Sequence, residues 1–128
     1  MRGVRSFREQ PHHRARGSQS EEEARRWLEG RGYTILHRNW QSRLGEIDLV
    51  ARDGETLCFI EVKARASDRF GPAVAAVTPA KQRRLARIAS LFLVEERWRG
   101  PCRFDVLGMD AVDGRWQYTL IRGAFEVA

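Results

Sequence analysis

The sequence predicts an α/β domain in which helices flank a mixed central β-sheet. Apolar residues recur with helical spacing near the start of the chain and again from residue 80 to about 97. Runs rich in β-branched and aromatic residues fill the segments between and after them. Two Asp-Gly pairs, at 53–54 and 113–114, are typical of β-hairpin turns. The predicted order is helix, three strands, helix, two strands.

The first 17 residues differ in composition from the rest of the chain. They hold five Arg and one Glu, which is +4 of the net charge of +6. They lack apolar periodicity, so we expect a disordered basic tail over 1–17 and a single domain over 18–128. The sequence shows neither the apolar segment of a signal peptide nor an apolar run of bilayer length. We therefore expect a cytoplasmic protein with no membrane partner.

The domain is predicted to begin with a helix over residues 18–30. Ser20 and Glu23 form a capping-box pattern, and apolar residues follow on one helix face. The second helix follows a Thr-Pro pair, which suits a helix N-terminus. The strands are predicted at residues 33–40, 45–52, 56–64, 102–109 and 115–121.

The hairpin over 45–52 and 56–64 carries the chemistry. Successive strand side chains point to opposite faces of a sheet, so each strand can be sorted by parity. One face is apolar or small, with Ile47, Leu49 and Ala51 on its first strand. The other face collects charged residues far from the turn. These are Glu46, Asp48, Glu61 and Lys63.

The register of the hairpin decides which charged residues meet. If the Asp-Gly pair alone forms the loop, Glu46 opposes Glu61 and Asp48 is diagonal to it. If the loop is 53–56, Asp48 faces Glu61 directly. Either register brings carboxylates within roughly 5–8 Å of each other. A three-residue loop would place Asp48 and Glu61 on opposite faces and would destroy the site.

Carboxylates this close repel each other, and they stay ionised only if a cation lies between them. Lys63 is one such cation and a divalent metal ion is the other. Mg²⁺ is usually held by a few carboxylate oxygens, with water and substrate phosphate completing its shell. The pattern therefore predicts hydrolysis of phosphodiester bonds that depends on Mg²⁺ or Mn²⁺. Asp48, Glu61 and Glu46 are the candidate metal ligands, and Lys63 positions or activates water.

Basic and polar residues surround this predicted site. Those just before the hairpin are Arg38, Asn39, Gln41 and Arg43. They either contact phosphates or form an ordinary polar loop. Arg65 and Arg69 follow the hairpin and are candidate backbone contacts. Lys81 and Arg84 lie in the first two turns of the second helix, where cations oppose the helix dipole. A solvated helix face is the usual explanation for such residues, but because these cations oppose the dipole we favour contact with nucleic-acid phosphates.

Two sequence patterns resemble known families. Asp48, a gap of twelve residues and then Glu61-Val62-Lys63 resembles the PD-(D/E)xK nuclease motif, with Ile47 where that motif often has proline. The longer string, residues 45–51 with 59–65, resembles the YraN family of bacterial proteins. Further matches are a GY-x-IL-x-RN stretch, a K-x-x-R pair and an RFDV stretch, so the resemblance covers residues 17–126.

The resemblance implies a restriction-endonuclease-like domain of three layers, similar to archaeal Holliday-junction resolvases. In the resolvases a glutamate from a helix joins the metal site, and Glu21 matches that position. A stabilising interaction with the helix dipole is the alternative role for acidic residues there. The resemblance further implies nucleic acid, and DNA in particular, as the partner. Cleavage of junctions would suit a homodimer, by analogy with the fold.

Three hypotheses for function remain open. The first is a metal-dependent endonuclease that uses Asp48, Glu61, Lys63 and Glu21. The second is a non-catalytic nucleic-acid-binding module on the same fold. The third is a structural protein-interaction domain in which the charged residues form only salt bridges. Metal affinity separates the first from the others, and salt-dependent affinity for nucleic acid separates the second from the third.

Overall fold

A computed structural model describes residues 11–66 and 71–126, with side chains from Ser20 onward. The elements are α1 (Pro11–Glu29), β1 (Thr34–Ser42), β2 (Gly45–Asp53), β3 (Thr56–Arg65), a 3₁₀ turn (Ala73–Ala76), α2 (Pro79–Glu95), β4 (Cys102–Val112) and β5 (Arg115–Phe125). The predicted order of helix, three strands, helix and two strands is confirmed. Within the described ranges, no helix combines the length and the apolar character needed to cross a membrane.

The first helix is longer than the sequence pattern predicts. Its described part starts at Pro11, seven residues before the predicted start at residue 18. The Arg and Ala residues in this stretch favour helix despite their lack of apolar periodicity. The first ten residues of the predicted tail lie outside the described part of the chain. At the other end, Gly32 adopts a φ of 96°, and the Tyr33 N–H donates to the carbonyl of Leu28 at 3.1 Å.

The five strands form one mixed sheet in the order β1-β2-β3-β4-β5. Strands β3 and β4 are parallel, and the other three neighbouring pairs are antiparallel. Parallel pairing needs a crossover, which α2 supplies. Ala24 and Leu28 of α1 pack on one face of the sheet, and Ile88 and Phe92 of α2 pack on the other. The result is the predicted α/β fold with three layers, consistent with a restriction-endonuclease-like domain.

The hairpin adopts the register in which Asp48 comes level with Glu61. Leu49 pairs with Ile60 and Asp53 pairs with Thr56, so the residues between Asp53 and Thr56 form the turn. Gly54 occupies the left-handed region there with a φ of 64°, a conformation that glycine adopts at little cost. Of the two registers that the sequence leaves open, the structure thus selects the one with the loop at 53–56.

The prediction that side chains along β2 alternate between the two sheet faces is wrong at one position. Ile47 was expected on the same face as Leu49, but it packs with Trp40 and Ile88 on the α2 side of the sheet. The β1–β2 ladder passes from the pair that contains Leu49 directly to Trp40 opposite Ile47. Asn39, which the ladder skips, has a left-handed φ of 53°. The ladder skips Asp48 as well and keeps the same register on both sides of this gap, and its one shift in register lies between Ile35 and His37. The change of face between Leu49 and Ile47 therefore occurs at Asp48, beside the other acidic residues.

Close packing beneath the sheet depends on Gly108 of β4, which pairs with Lys63. A Cβ at this glycine would lie 2.7 Å from a methyl carbon of Val74 in the 3₁₀ turn. The turn is held by Asp110, whose Oδ1 accepts from the Ala73 N–H at 3.1 Å. This turn was not predicted from the sequence, and it packs on β4 and on β3, the strand that carries Lys63.

Candidate active site

Three carboxylates from two elements converge where the β1–β2 ladder leaves Asn39 and Asp48 unpaired. Glu21 comes from α1, and Glu46 and Asp48 come from β2. One oxygen of each lies within 4.8 Å of the others, and all three residues are half-buried. These oxygen atoms could hold a metal ion, because hard divalent cations prefer such ligands.

Hydrogen bonds fix the position of each carboxylate. Asp48 Oδ2 accepts from the Val62 N–H of β3 at 2.8 Å, in the gap where the β2–β3 ladder ends. Asn39 Nδ2 donates to Glu21 Oε1 at 2.8 Å, and this joins α1 to the sheet. The remaining contact, from Gln41 Nε2 to Glu46 Oε1, is 2.7 Å long. Fixed orientation of all three groups favours convergence on one point.

The amide side chains of Asn39 and Gln41 have a role that was not predicted from the sequence. They contact carboxylates of the site, whereas phosphate contact or an ordinary polar loop had been expected. Asn39 is fully buried, and asparagine tolerates the left-handed conformation it adopts. The role of Gln41 was accessible from sequence, because a two-residue turn at 43–44 places it opposite Glu46.

The surroundings of Asp48 disfavour its ionised form. Burial raises the pKa of its carboxyl well above the ordinary 3.8, and the negative charge of Glu61 raises it further. The hydrogen bond from Val62 opposes this rise, while Glu21 and Glu46 add to it. A cation bound among these groups would favour the ionised form of Asp48 and relieve their repulsion.

Glu61 lies next to this group but has cations of its own. It is buried, and its Oε2 accepts from Lys63 Nζ at 3.2 Å and from Lys81 Nζ at 3.1 Å. Burial lowers the pKa of Lys63, and the neighbouring positive charge of Lys81 lowers it further, against the opposing effect of Glu61. Burial also acts to lower the pKa of Lys81, but its contacts with Lys63 and Glu61 prevail and raise it.

A cavity of about 250 Å³ opens over these groups. Its lining residues are Glu46, Asp48, Glu61, Val62, Lys63, Lys81, Arg84, Leu85 and Ile88. Gly45 lies beside it with a φ of 135°, and a Cβ there would be 3.1 Å from both Arg84 Nη2 and the Ile88 methyl carbon Cδ1. Only glycine combines this backbone conformation with so close an approach of the Arg84 side chain.

The structure brings together most of the residues that the sequence analysis selected. Glu21, Glu46, Asp48, Glu61 and Lys63 meet at one place, and Glu21 rather than Glu61 completes the group of three converging carboxylates.

The predicted phosphate contacts have several different positions. Lys81 contacts Glu61 inside the cavity, and Arg84 is an exposed residue of its wall. Arg43 is exposed in the turn between β1 and β2. Arg65 ends β3, opposite Asp110 of β4. Arg69 lies outside the described residues.

The chain is similar to many bacterial proteins. A family model described as "Uncharacterised protein family UPF0102" matches residues 20–109, which include the four acidic residues of the site and Lys63. A UPF0102 protein of Symbiobacterium thermophilum is 49% identical over 111 residues, which are 85% of this chain and 94% of that protein. One from Nitrosococcus oceani is 44% identical over 119 residues, or 90% and 94% of the two chains. Another, from Herminiimonas arsenicoxydans, is 45% identical over 100 residues, or 78% and 81%. The chain therefore belongs to the uncharacterised protein family UPF0102, which confirms the resemblance to YraN proteins.

Proposed function

We propose that this protein is a metal-dependent endonuclease that hydrolyses phosphodiester bonds in DNA. The observation that carries the proposal is the convergence of Glu21, Glu46 and Asp48 beside the Glu61–Lys63 pair at one cavity. Buried like charges are costly, so a group of this kind is a candidate functional site. The family match says which proteins the chain resembles, and the chemistry is inferred from the site.

The donor set fits a divalent metal ion. All three converging ligand atoms are carboxylate oxygens, the type that Mg²⁺ and Mn²⁺ prefer. Burial and neighbouring negative charges raise the pKa of Asp48. A bound cation would lower that pKa, because it favours the ionised carboxylate. Glu21, Glu46 and Asp48 would hold the ion, and Glu61 lines the same cavity. When bound, such an ion polarises a phosphoryl oxygen and lowers the pKa of coordinated water.

The chain's own residues supply orientation and charge. The Val62 N–H fixes the Asp48 carboxylate, and Asn39 fixes that of Glu21. Lys63 lines the cavity with its ammonium 3.2 Å from Glu61. From there it can donate a hydrogen bond to an attacking water or to a phosphate oxygen, and so stabilise the charge that develops during hydrolysis.

Cations around the cavity suit a polyanionic substrate. Arg84 lies on the cavity wall close to Gly45, and Arg43 lies two residues before that glycine. Both are exposed, so a nucleic-acid backbone could contact both side chains. A net charge of +6 adds a general attraction to nucleic acid that depends on salt concentration.

Cleavage assays test this proposal. Single-stranded, duplex and four-way-junction DNA are incubated with increasing Mg²⁺ or Mn²⁺, with the wild type and with Asp48→Asn and Lys63→Met. We expect metal-dependent cleavage that Asp48→Asn abolishes and that Lys63→Met slows by about a hundredfold or more. Asp113→Asn makes the same chemical change as Asp48→Asn in the exposed β4–β5 turn, and it should cleave like the wild type. Preferential cleavage of the four-way junction would suggest that the protein acts as a homodimer. Analytical ultracentrifugation can measure this oligomeric state.

A non-catalytic role is the second candidate, and the two lysines on Glu61 favour it. Neutralising a buried carboxylate with lysines is also what a purely structural cluster would do. If no DNA is cut and no metal binds, the endonuclease proposal is wrong. Salt-sensitive DNA binding would then leave a nucleic-acid-binding module, and absence of DNA binding would leave a protein-interaction domain.

A further inference from the structure

Lys81 contacts the acidic site although it belongs to α2 and lies outside the motif that ends at Lys63. Its ammonium is 3.1 Å from Glu61 Oε2, the same oxygen that Lys63 approaches to 3.2 Å. One carboxylate oxygen therefore has two ammonium groups. Among the described side chains, no ion pair reaches Asp48 or Glu46, which lie in the same cavity.

This distribution of charge has a consequence for binding. Three carboxylates and three cations line the cavity, so their formal charges cancel. A divalent ion alone would add positive charge, and a phosphate alone would add negative charge. Bound together they nearly compensate each other, so the cavity favours joint occupation, and Lys81 decides where one of the positive charges is placed.

Lys81 is better able to move than Lys63. The backbone of Lys63 is fixed in the centre of the sheet by its pairing with Gly108. Lys81 projects from the first turn of α2, where its N–H donates to the capping Thr78 hydroxyl at 3.3 Å. Its side chain is 33% exposed, against 24% for that of Lys63. A lysine ammonium on a four-carbon stem can leave a partly exposed ion pair at little cost and needs no backbone movement.

We propose that Lys81 moves between Glu61 and a DNA phosphate, so that DNA and a divalent ion bind the site cooperatively. This inference rests on the proposed function. Without DNA, Lys81 holds Glu61 and competes with the ion for that carboxylate. With DNA, the ammonium pairs with a phosphate, and Glu61 is released to act as a metal ligand. Because coupling between two ligands is reciprocal, the ion must tighten DNA binding by the factor by which DNA tightens ion binding.

The coupling can be measured without cleavage. Fluorescence anisotropy gives the affinity for a short labelled DNA duplex with and without Ca²⁺, whose flexible coordination makes it a poor catalyst in a magnesium site. Calorimetry gives the Ca²⁺ affinity of the free protein. In the wild type, we expect Ca²⁺ to tighten DNA binding. In Lys81→Met, we expect that enhancement to fall by about threefold to tenfold and the Ca²⁺ affinity of the free protein to rise by a similar factor.

A lysine that stays on Glu61 gives a different result. Removing its charge would then strengthen Ca²⁺ binding equally with and without DNA, and the enhancement would equal that of the wild type. Arg84→Met is the matched control, because it removes an exposed cation from the same cavity wall. It should weaken DNA binding by the same factor with and without Ca²⁺.

Two results would overturn the inference, and they can be told apart. If both ligands bind but Lys81→Met keeps the full enhancement, Lys81 does not couple them and the endonuclease proposal is untouched. If the wild type binds neither Ca²⁺ nor DNA, the coupling and the endonuclease proposal fail together.

Discussion

Replacing Asp48 by Asn is expected to stabilise the metal-free protein at mildly alkaline pH and to remove its stabilisation by Mg²⁺. Asparagine has nearly the same shape, and its carbonyl can still accept from the Val62 N–H, which donates to Asp48 at 2.8 Å. The substitution therefore removes mainly a charge. Burial and the neighbouring carboxylates disfavour this charge.

The size of the effect follows from the geometry of the site. Two unit charges at the 4.8 Å limit between these oxygens repel by about 3.5 kcal/mol at an effective dielectric constant of about 20. Protonation of Asp48 relieves part of this repulsion, so we expect a gain of about 1–2 kcal/mol in the free energy of unfolding. For a domain of 128 residues this corresponds to a rise in Tm of about 4–8 °C.

The gain should depend on pH in a defined direction. Because the pKa of Asp48 is raised in the folded protein, its contribution to wild-type stability is fully present below the ordinary value of 3.8. That contribution is lost as the pH rises through the raised pKa. The advantage of Asp48→Asn should therefore be absent in acid, grow as the pH rises, and level off once Asp48 is ionised in the folded protein.

Thermal denaturation followed by circular dichroism measures both effects, in EDTA and in excess Mg²⁺. At a concentration of 100 times Kd, the ion should stabilise the wild type by about 2.7 kcal/mol, and it should leave Asp48→Asn almost unchanged. Asp113→Asn, in an exposed turn, should behave like the wild type in both buffers. The reasoning is refuted if Asp48→Asn is the less stable protein in alkaline EDTA, or if it gains as much from Mg²⁺ as the wild type does.

Three further predictions concern single residues. Lys63→Met should slow DNA cleavage by about a hundredfold or more in kinetic assays, because Lys63 orients the reacting groups. The variant should keep the Mg²⁺-induced rise in Tm, and undiminished cleavage would contradict this role. Arg103→Met should lower the free energy of unfolding in urea by about 3 kcal/mol, because it leaves the buried Asp105, whose Oδ1 lies 2.9 Å from Arg103 Nε, without its cation. A loss below about 1 kcal/mol would show that the pair is weak. Gly45→Ala should lower the free energy of unfolding in urea by about 1–3 kcal/mol, since alanine must adopt a φ of 135° with its Cβ against Arg84. An unchanged midpoint of urea unfolding would argue against that strain.

The hairpin and its charged end were predictable because they depend on local patterns. Alternation along the strands places Glu61 and Lys63 on one face, and the Asp-Gly pair locates the turn to within a residue. The turn sequence alone did not choose between two registers. That choice depends on pairing along the whole hairpin, which the structure resolves by placing Asp53 opposite Thr56.

Other features of the site depend on contacts between elements that no local pattern specifies. The left-handed conformation of Asn39 goes together with its burial and its bond to Glu21 of α1. The contact of Lys81 with Glu61 depends on how α2 crosses the sheet. From its position in the helix, Lys81 was predicted only as a phosphate contact, because the spacing of residues along α2 does not show which strand lies beneath its first turn.

Mn²⁺ binding tests most directly whether Glu21, Glu46 and Asp48 form a metal site. The electron paramagnetic resonance signal of free Mn²⁺ falls as the ion binds, so a titration gives both stoichiometry and affinity. We expect one site per chain in the wild type, with affinity reduced tenfold or more in Glu21→Gln and Asp48→Asn. Glu29→Gln, on the same helix but paired with Arg25, should bind like the wild type. A wild type that binds no Mn²⁺, or variants at Glu21 and Asp48 that bind it equally well, would contradict the proposed site.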